Sequence, residues 1–154
     1  MKTGFIKVFF VVLIVLHAPT LLAAGTSEMR AEADKYFIEH NFKKAYKIYY
    51  KLAKTGDHHS QGRVAQMYAT GEGRSVDLEE AYAWSVLAEE GGEKYLAEPS
   101  EDLLQRTDDK SAAQKKASKL VAKYGEEALK EKAQRRAEQD RARRSGSMGS
   151  NLSR

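Results

Sequence analysis

The stretch Ser60 to Gly92, SQGRVAQMYATGEGRSVDLEEAYAWSVLAEEGG, decides how this chain folds. Val64, Met67 and Tyr68 recur at helical spacing, and Gly71 follows as a stop. Asp77 then opens a second helix, with Glu80 three residues on in a capping-box arrangement. The stripe of that helix is Ala81, Trp84, Leu87 and Ala88, and Gly91 with Gly92 closes it. The stretch therefore reads as two helices joined by a glycine-bearing loop.

The preceding residues repeat the plan. Ser27 is placed to cap a helix carrying Met29, Ala33, Tyr36 and Phe37, a turn follows at Asn41 and Phe42, and Ala45, Ile48, Tyr49 and Leu52 form the next stripe up to Gly56. Ala45, Ile48, Leu52 and Gly56 fall on Ala81, Trp84, Ala88 and Gly92, each 36 residues later. The interhelical connection is longer in the second copy, thirteen residues from Tyr68 to Ala81 against nine from Tyr36 to Ala45, and it holds Gly71 and Gly73. A helix-turn-helix period of about 34 residues is the mark of tetratricopeptide-type solenoids.

The second copy resembles a Sel-one-like repeat, a relative of the tetratricopeptide repeat with a longer loop. Tyr68, Gly71, Gly73, Asp77, Ala81, Trp84, Ala88 and Gly92 match that pattern. Val64 and Ala65 replace its Leu-Gly, Arg74 a usual valine, Glu80 a lysine and Glu89 an alanine. The first copy, with its shorter turn, is closer to an ordinary tetratricopeptide repeat. The resemblance covers about Glu28 to Gly92 and implies an all-α solenoid of antiparallel helix pairs that acts as an adaptor or scaffold by binding other proteins. Trp84 is expected in the core.

Composition agrees with an all-helical chain. There are two prolines in 154 residues, 42% of residues are hydrophobic, and β-branched clusters are few after Val15. The β-rich run is N-terminal: Lys2 and Lys7, an unbroken apolar segment from Val8 to Leu16, Pro19, then Ala23, Ala24 and Gly25. That order is a secretory signal peptide over residues 1–24, cut after Ala24 or Gly25. As a membrane anchor the apolar run is short against the roughly 20 residues a span needs. An exported protein is expected, in the periplasm first, with an extracellular or signal-anchored location as the alternatives. Without cysteine it has neither a lipid-attachment site nor disulfides, so packing alone holds it together.

The repeats span 27–92, and residues 93–129 read as capping helices. Pro99 starts a short helix with Leu103 and Leu104, and Asp108 or Asp109 opens a longer one carrying Ala113, Ala117, Leu120, Val121, Tyr124 and Ala128. Residues 130–154 form a basic tail whose only apolar residues over its charged part are alanines. It is expected to stay helical through propensity and spaced charges, then to lose order from Ser145. A stack this short leaves self-association open.

Charge is divided along the chain. Residues 26–111 hold 12 Lys and Arg against 17 Asp and Glu, whereas residues 112–154 hold 12 against 5. Lys130, Lys132, Arg135, Arg136, Arg141, Arg143 and Arg144 are the candidates for contact with an anionic envelope surface, polymer or lipid. A merely solvated helix is the other reading. The acids among them, and the lack of any aromatic after Tyr124, disfavour nucleic acid.

Tyr46, Tyr50 and Tyr82 are the candidate protein-binding residues. Tyr46 and Tyr50 lie one turn apart, and Tyr82 takes the place of Tyr46 one repeat later. Recurrent tyrosines suit a peptide-binding face, and equally suit packing between helices. For chemistry the inventory is thin. His58 and His59 are adjacent, so they lack the same-face spacing of a metal pair. Gly71-Glu72-Gly73 lacks the context of a phosphate loop, and no nucleophile is set up. Neither a catalytic site nor a cofactor or metal is expected.

Overall fold

The computed structural model of the chain describes residues 25–93 and 96–150. The expected signal peptide, 1–24, and the last four residues lie outside the described residues. Among the described residues there are helices and no strands. They are α1 (residues 25–38), α2 (Phe42–Ala53), α3 (His58–Thr70), α4 (Leu78–Glu90), α5 (Ser100–Arg106), α6 (Lys110–Tyr124) and α7 (Glu126–Ser150).

Local chemistry sets most boundaries. Asp57, Asp77 and Asp109 sit at the N-caps of α3, α4 and α6, and each carboxylate accepts from the N–H three residues on, at 2.8 to 2.9 Å. The capping box at α4 is half made. Glu80 does not reach back to Asp77, because its carboxylate accepts from the Trp84 indole N–H at 3.2 Å and faces Lys116 at 3.5 Å. The Asp77 N–H donates instead to the Tyr68 carbonyl at 3.0 Å, tying the loop to the end of α3. Ser27 is not a cap, since α1 is already helical at residue 25.

The helices pack against one another, with α3 and α4 at the centre. α2 and α4 flank α3, while α5 and α6 both lie on α4. A helix covered on several sides must be apolar or hydrogen-bonded nearly all round. Accordingly α3 buries Val64, Ala65, Met67 and Tyr68, and α4 buries Ala81, Ala83, Trp84, Leu87 and Ala88. The buried Gln61 of α3 donates to the Ala53 carbonyl at 3.1 Å and stands 2.9 Å from His58 Nδ1, so its polar group is satisfied internally. α2 and α6 present one face each, Ala45, Tyr49 and Leu52 in the first and Ala113 and Ala117 in the second.

Positions 36 residues apart have like environments. Ala45 and Ala81 are buried, as are Leu52 and Ala88, and both Gly56 and Gly92 have positive φ. Ile48 and Trp84 differ, the first half-buried and the second fully enclosed at 0% exposure.

α7 behaves differently from the rest. Ala128 and Leu129 are half-buried, and Leu129 meets the α2–α3 turn at Gly56. From Lys130 to Arg144 every side chain is exposed. The helix runs on through Ser150. Once a helix exists, each added residue gains a hydrogen bond without a new nucleation cost, which lets poor helix formers follow good ones.

Candidate protein-binding face

Tyr46 and Tyr50 occupy one face of α2, and their rings stack with centroids 5.4 Å apart. Tyr46 meets Tyr68 edge to face at 6.1 Å, and the two hydroxyls stand 3.4 Å apart. Tyr50 meets Trp84 edge to face at 5.6 Å, and Trp84 stacks on Tyr124 of α6 at 5.9 Å. A continuous aromatic ladder thus crosses from α3 and α2 through α4 to α6. Such ring pairs are each worth about 1 kcal/mol beyond area burial.

Cations lie over this ladder. The Arg74 guanidinium is 3.5 Å from the Tyr68 ring centre and 4.4 Å from that of Tyr46. Lys54 stands 4.6 Å over Tyr50, and Lys123 and Lys132 stand 5.1 and 5.8 Å over Tyr124. Gly73 brings Arg74 there. Its φ is +78°, and a methyl group added to it would lie 2.7 Å from the Phe42 backbone, so the loop rests directly on the start of α2. Gly71 adjoins it as the left-handed C-cap of α3.

The phenols are held neutral. Burial raises the Tyr68 pKa well above its ordinary value, helped by the Tyr46 hydroxyl and the Glu80 charge. Burial likewise raises Tyr50, with smaller contributions from Tyr46, Tyr124 and Glu80. On another side of the core, Tyr49 is raised by burial and by Asp34, to which its hydroxyl donates.

Tyr82 does not join the ladder, although it lies 36 residues after Tyr46. It lines an open groove between α4 and α6 with Val86, Ala117, Val121 and Ala122. Beside that groove Lys116 of α6 binds the N-terminal turn of α4, 3.1 Å from Glu79, 3.5 Å from Glu80 and 3.7 Å from Asp77. Burial works against its charge, but the three carboxylates outweigh burial and hold its pKa above the ordinary lysine value.

The tail candidates are spread along α7. Lys130 pairs with Glu126 and Glu127, Arg135 pairs with Glu131, and Lys132 turns back to donate to the Lys123 carbonyl. Arg136, Arg141, Arg143 and Arg144 are exposed and form no ion pair among the described residues. The two histidines diverge, His58 Nδ1 reaching the Leu87 carbonyl of α4 at 3.2 Å and His59 approaching Asp34 of α1 at 3.6 Å. Among the described residues no group of three or more His, Asp or Glu is placed to hold a metal ion.

Sequence reasoning missed Arg74, Lys54 and Tyr124 as members of this face. Arg74 was visible as a departure from the repeat pattern, an arginine where a valine is usual. Tyr124 was visible only as part of a stripe, because its partner Trp84 lies on another helix. No known protein family matches the chain, and neither a curated protein nor a solved structure does.

Proposed function

We propose that the chain is an exported helical-repeat protein of the Sel-one-like and tetratricopeptide kind, and that it works as an adaptor or scaffold by binding another protein in the cell envelope. On this reading α1 with α2 and α3 with α4 are two successive repeats, and α5 and α6 cap the stack. Support for the repeat comes from the matched environments of Ala45 and Ala81, Leu52 and Ala88, and Gly56 and Gly92.

The observation that carries the binding role is the half-buried face of α2, where Tyr46 is backed by Tyr68 and Tyr50 by Trp84, and both are overlaid by cations that form no ion pair among the described residues. Large rings held rigid by their neighbours lose little entropy when a partner covers them. Crosslinking and capture from the envelope fraction test this, with the full chain and a chain ending at Leu129 compared in low and high salt. The adaptor reading expects both forms to recover the same protein. Recovery of nothing specific by either form overturns it.

A second reading rests on Arg136, Arg141, Arg143 and Arg144, which α7 exposes with no ion pair among the described residues. A helix of that kind holds the chain to anionic polymer or lipid, and the helical body is its cargo. Recovery that requires the residues after Leu129 and disappears in high salt favours this second reading.

A further inference from the structure

Seven cation-over-ring pairs occur among the described residues. Five of the seven lie on one ladder: Arg74 on both Tyr68 and Tyr46, Lys54 on Tyr50, and Lys123 and Lys132 on Tyr124. None of these four cations forms an ion pair with a carboxylate among the described residues. Glu80, whose charge reaches Tyr50 and Tyr68, is committed to the Trp84 indole and to Lys116.

α2 deepens the local field. It carries Lys43, Lys44, Lys47 and Lys51 and no acid, within a body that is otherwise acidic. Arg74 is the most constrained member. Its Nε is buried with no acceptor among the described residues, and its guanidinium carbon lies against two phenol rings, leaving the two terminal nitrogens to serve a ligand. A guanidinium in that position presents a planar fork suited to one carboxylate. Among the described residues the Tyr46 and Tyr68 hydroxyls have only each other, so one O–H remains as a further donor. The site offers donors and positive charge.

We propose that this cation-roofed ladder binds an acidic segment of the partner protein, with a Glu or Asp carboxylate seated on Arg74 and further acids along Lys54, Lys123 and Lys132. The proposal rests on the adaptor reading and names the chemistry of its partner. Single-stranded nucleic acid fits less well, because the ring faces are already occupied by one another and by the cations, leaving no open face for a base to stack on.

The test uses the full chain and a fluorescent peptide of alternating Glu and Ala, blocked at both ends and about eight residues long, enough to run the length of the ladder. Its Gln counterpart and an oligothymidine serve as rivals. Anisotropy should show binding of the Glu peptide alone. Arg74→Gln should weaken it about tenfold, with Arg74→Lys in between because the charge stays and the fork is lost. Lys54→Gln should weaken it less, and an Arg136→Gln/Arg141→Gln/Arg143→Gln chain should lie within about twofold of the parent, since ion pairing is worth least at exposed, remote charges.

Unchanged affinity in folded Arg74→Gln, or loss of affinity only in the α7 variant, overturns the proposal. So does an oligothymidine bound more tightly than the peptide and dependent on Arg74, or Arg74-dependent dimerisation in sedimentation. If Arg74→Gln fails to keep the parent's circular dichroism, Arg74→Lys and Lys54→Gln carry the same comparison. The peptide measurement needs no envelope partner. If crosslinking finds a partner whose recovery ignores Arg74, the adaptor role stands and the acidic-segment proposal falls. If crosslinking finds none while the peptide binds as expected, the adaptor role falls alone.

Discussion

Leu129, at the start of α7, rests on Gly56 in the turn between α2 and α3. A methyl group added at Gly56 would lie 2.8 Å from Leu129 Cδ1, and the residue also has φ +90°. Gly56→Ala therefore combines a strained backbone with a clash and should destabilise the fold by about 1 to 3 kcal/mol. Leu129→Ala relieves only the clash. In a double-mutant cycle by urea denaturation, the pair should be less destabilised than the sum of the single changes. Strict additivity would mean that the two residues do not touch.

The same contact sets the C-terminal limit of the folded body. A chain ending at Leu129 should keep its thermal midpoint within a few degrees of the full chain, because the side chains from Lys130 to Arg144 are exposed. A chain ending at Tyr124 loses Leu129 and should melt lower than the chain ending at Leu129. Equal midpoints for the two truncations would place the limit earlier.

Trp84 joins three helices through ring contacts with Tyr50 and Tyr124 and is wholly enclosed. Trp84→Ala should cost about 3 to 5 kcal/mol, enough to unfold much of a domain of ordinary stability. Trp84→Phe keeps most of the volume and should cost less, losing the indole N–H bond to Glu80. Denaturation followed by far-ultraviolet circular dichroism reads both, and a midpoint unaffected by Trp84→Ala would contradict the packing described above.

Acid should weaken the junction between α1 and α3. Burial opposes the charge of Asp57, but Ser60 and Arg30 outweigh it and hold the carboxyl below the ordinary aspartate value. A carboxyl with a depressed folded-state pKa contributes its stability above its unfolded pKa, near 4, and loses it as pH falls through the folded value. Asp57→Asn keeps a competent helix cap yet forfeits the ion pair with Arg30. It should be less stable at pH 7 and show a shallower decline of stability below about pH 4. An identical acid profile in the variant would remove Asp57 from the account.

The all-helical class and most helix ends were legible because each depends on a few adjacent residues. Asp77 and Asp109 cap where they are expected to, and Gly71 ends α3 with a left-handed backbone, while Asp57 caps α3 as a further carboxylate of the same kind. What depended on distant residues was not legible. Glu80 reads as the second half of a capping box until Trp84 and Lys116 compete for its oxygens. Tyr46 and Tyr82 occupy equivalent sequence positions, yet one is enclosed by Tyr50, Tyr68 and Arg74 and the other lines the groove against α6. Their neighbours differ because α2 packs against α3 whereas α4 packs also against α5 and α6, and those partners lie far away in the sequence.

The exposed length of α7 has a mechanical consequence. From Lys132, whose amine still turns back to the Lys123 carbonyl, to Ser150 the helix extends about 27 Å, at 1.5 Å per residue. A flexible tether of the same length would have a root-mean-square span of about 25 Å with its end sampling all directions. The helix instead places whatever touches its far end at one distance, within a narrow cone about its axis. Effective concentration between a ligand there and one on the α2 face is then set by geometry, high when their separation suits the rod and close to zero when it does not.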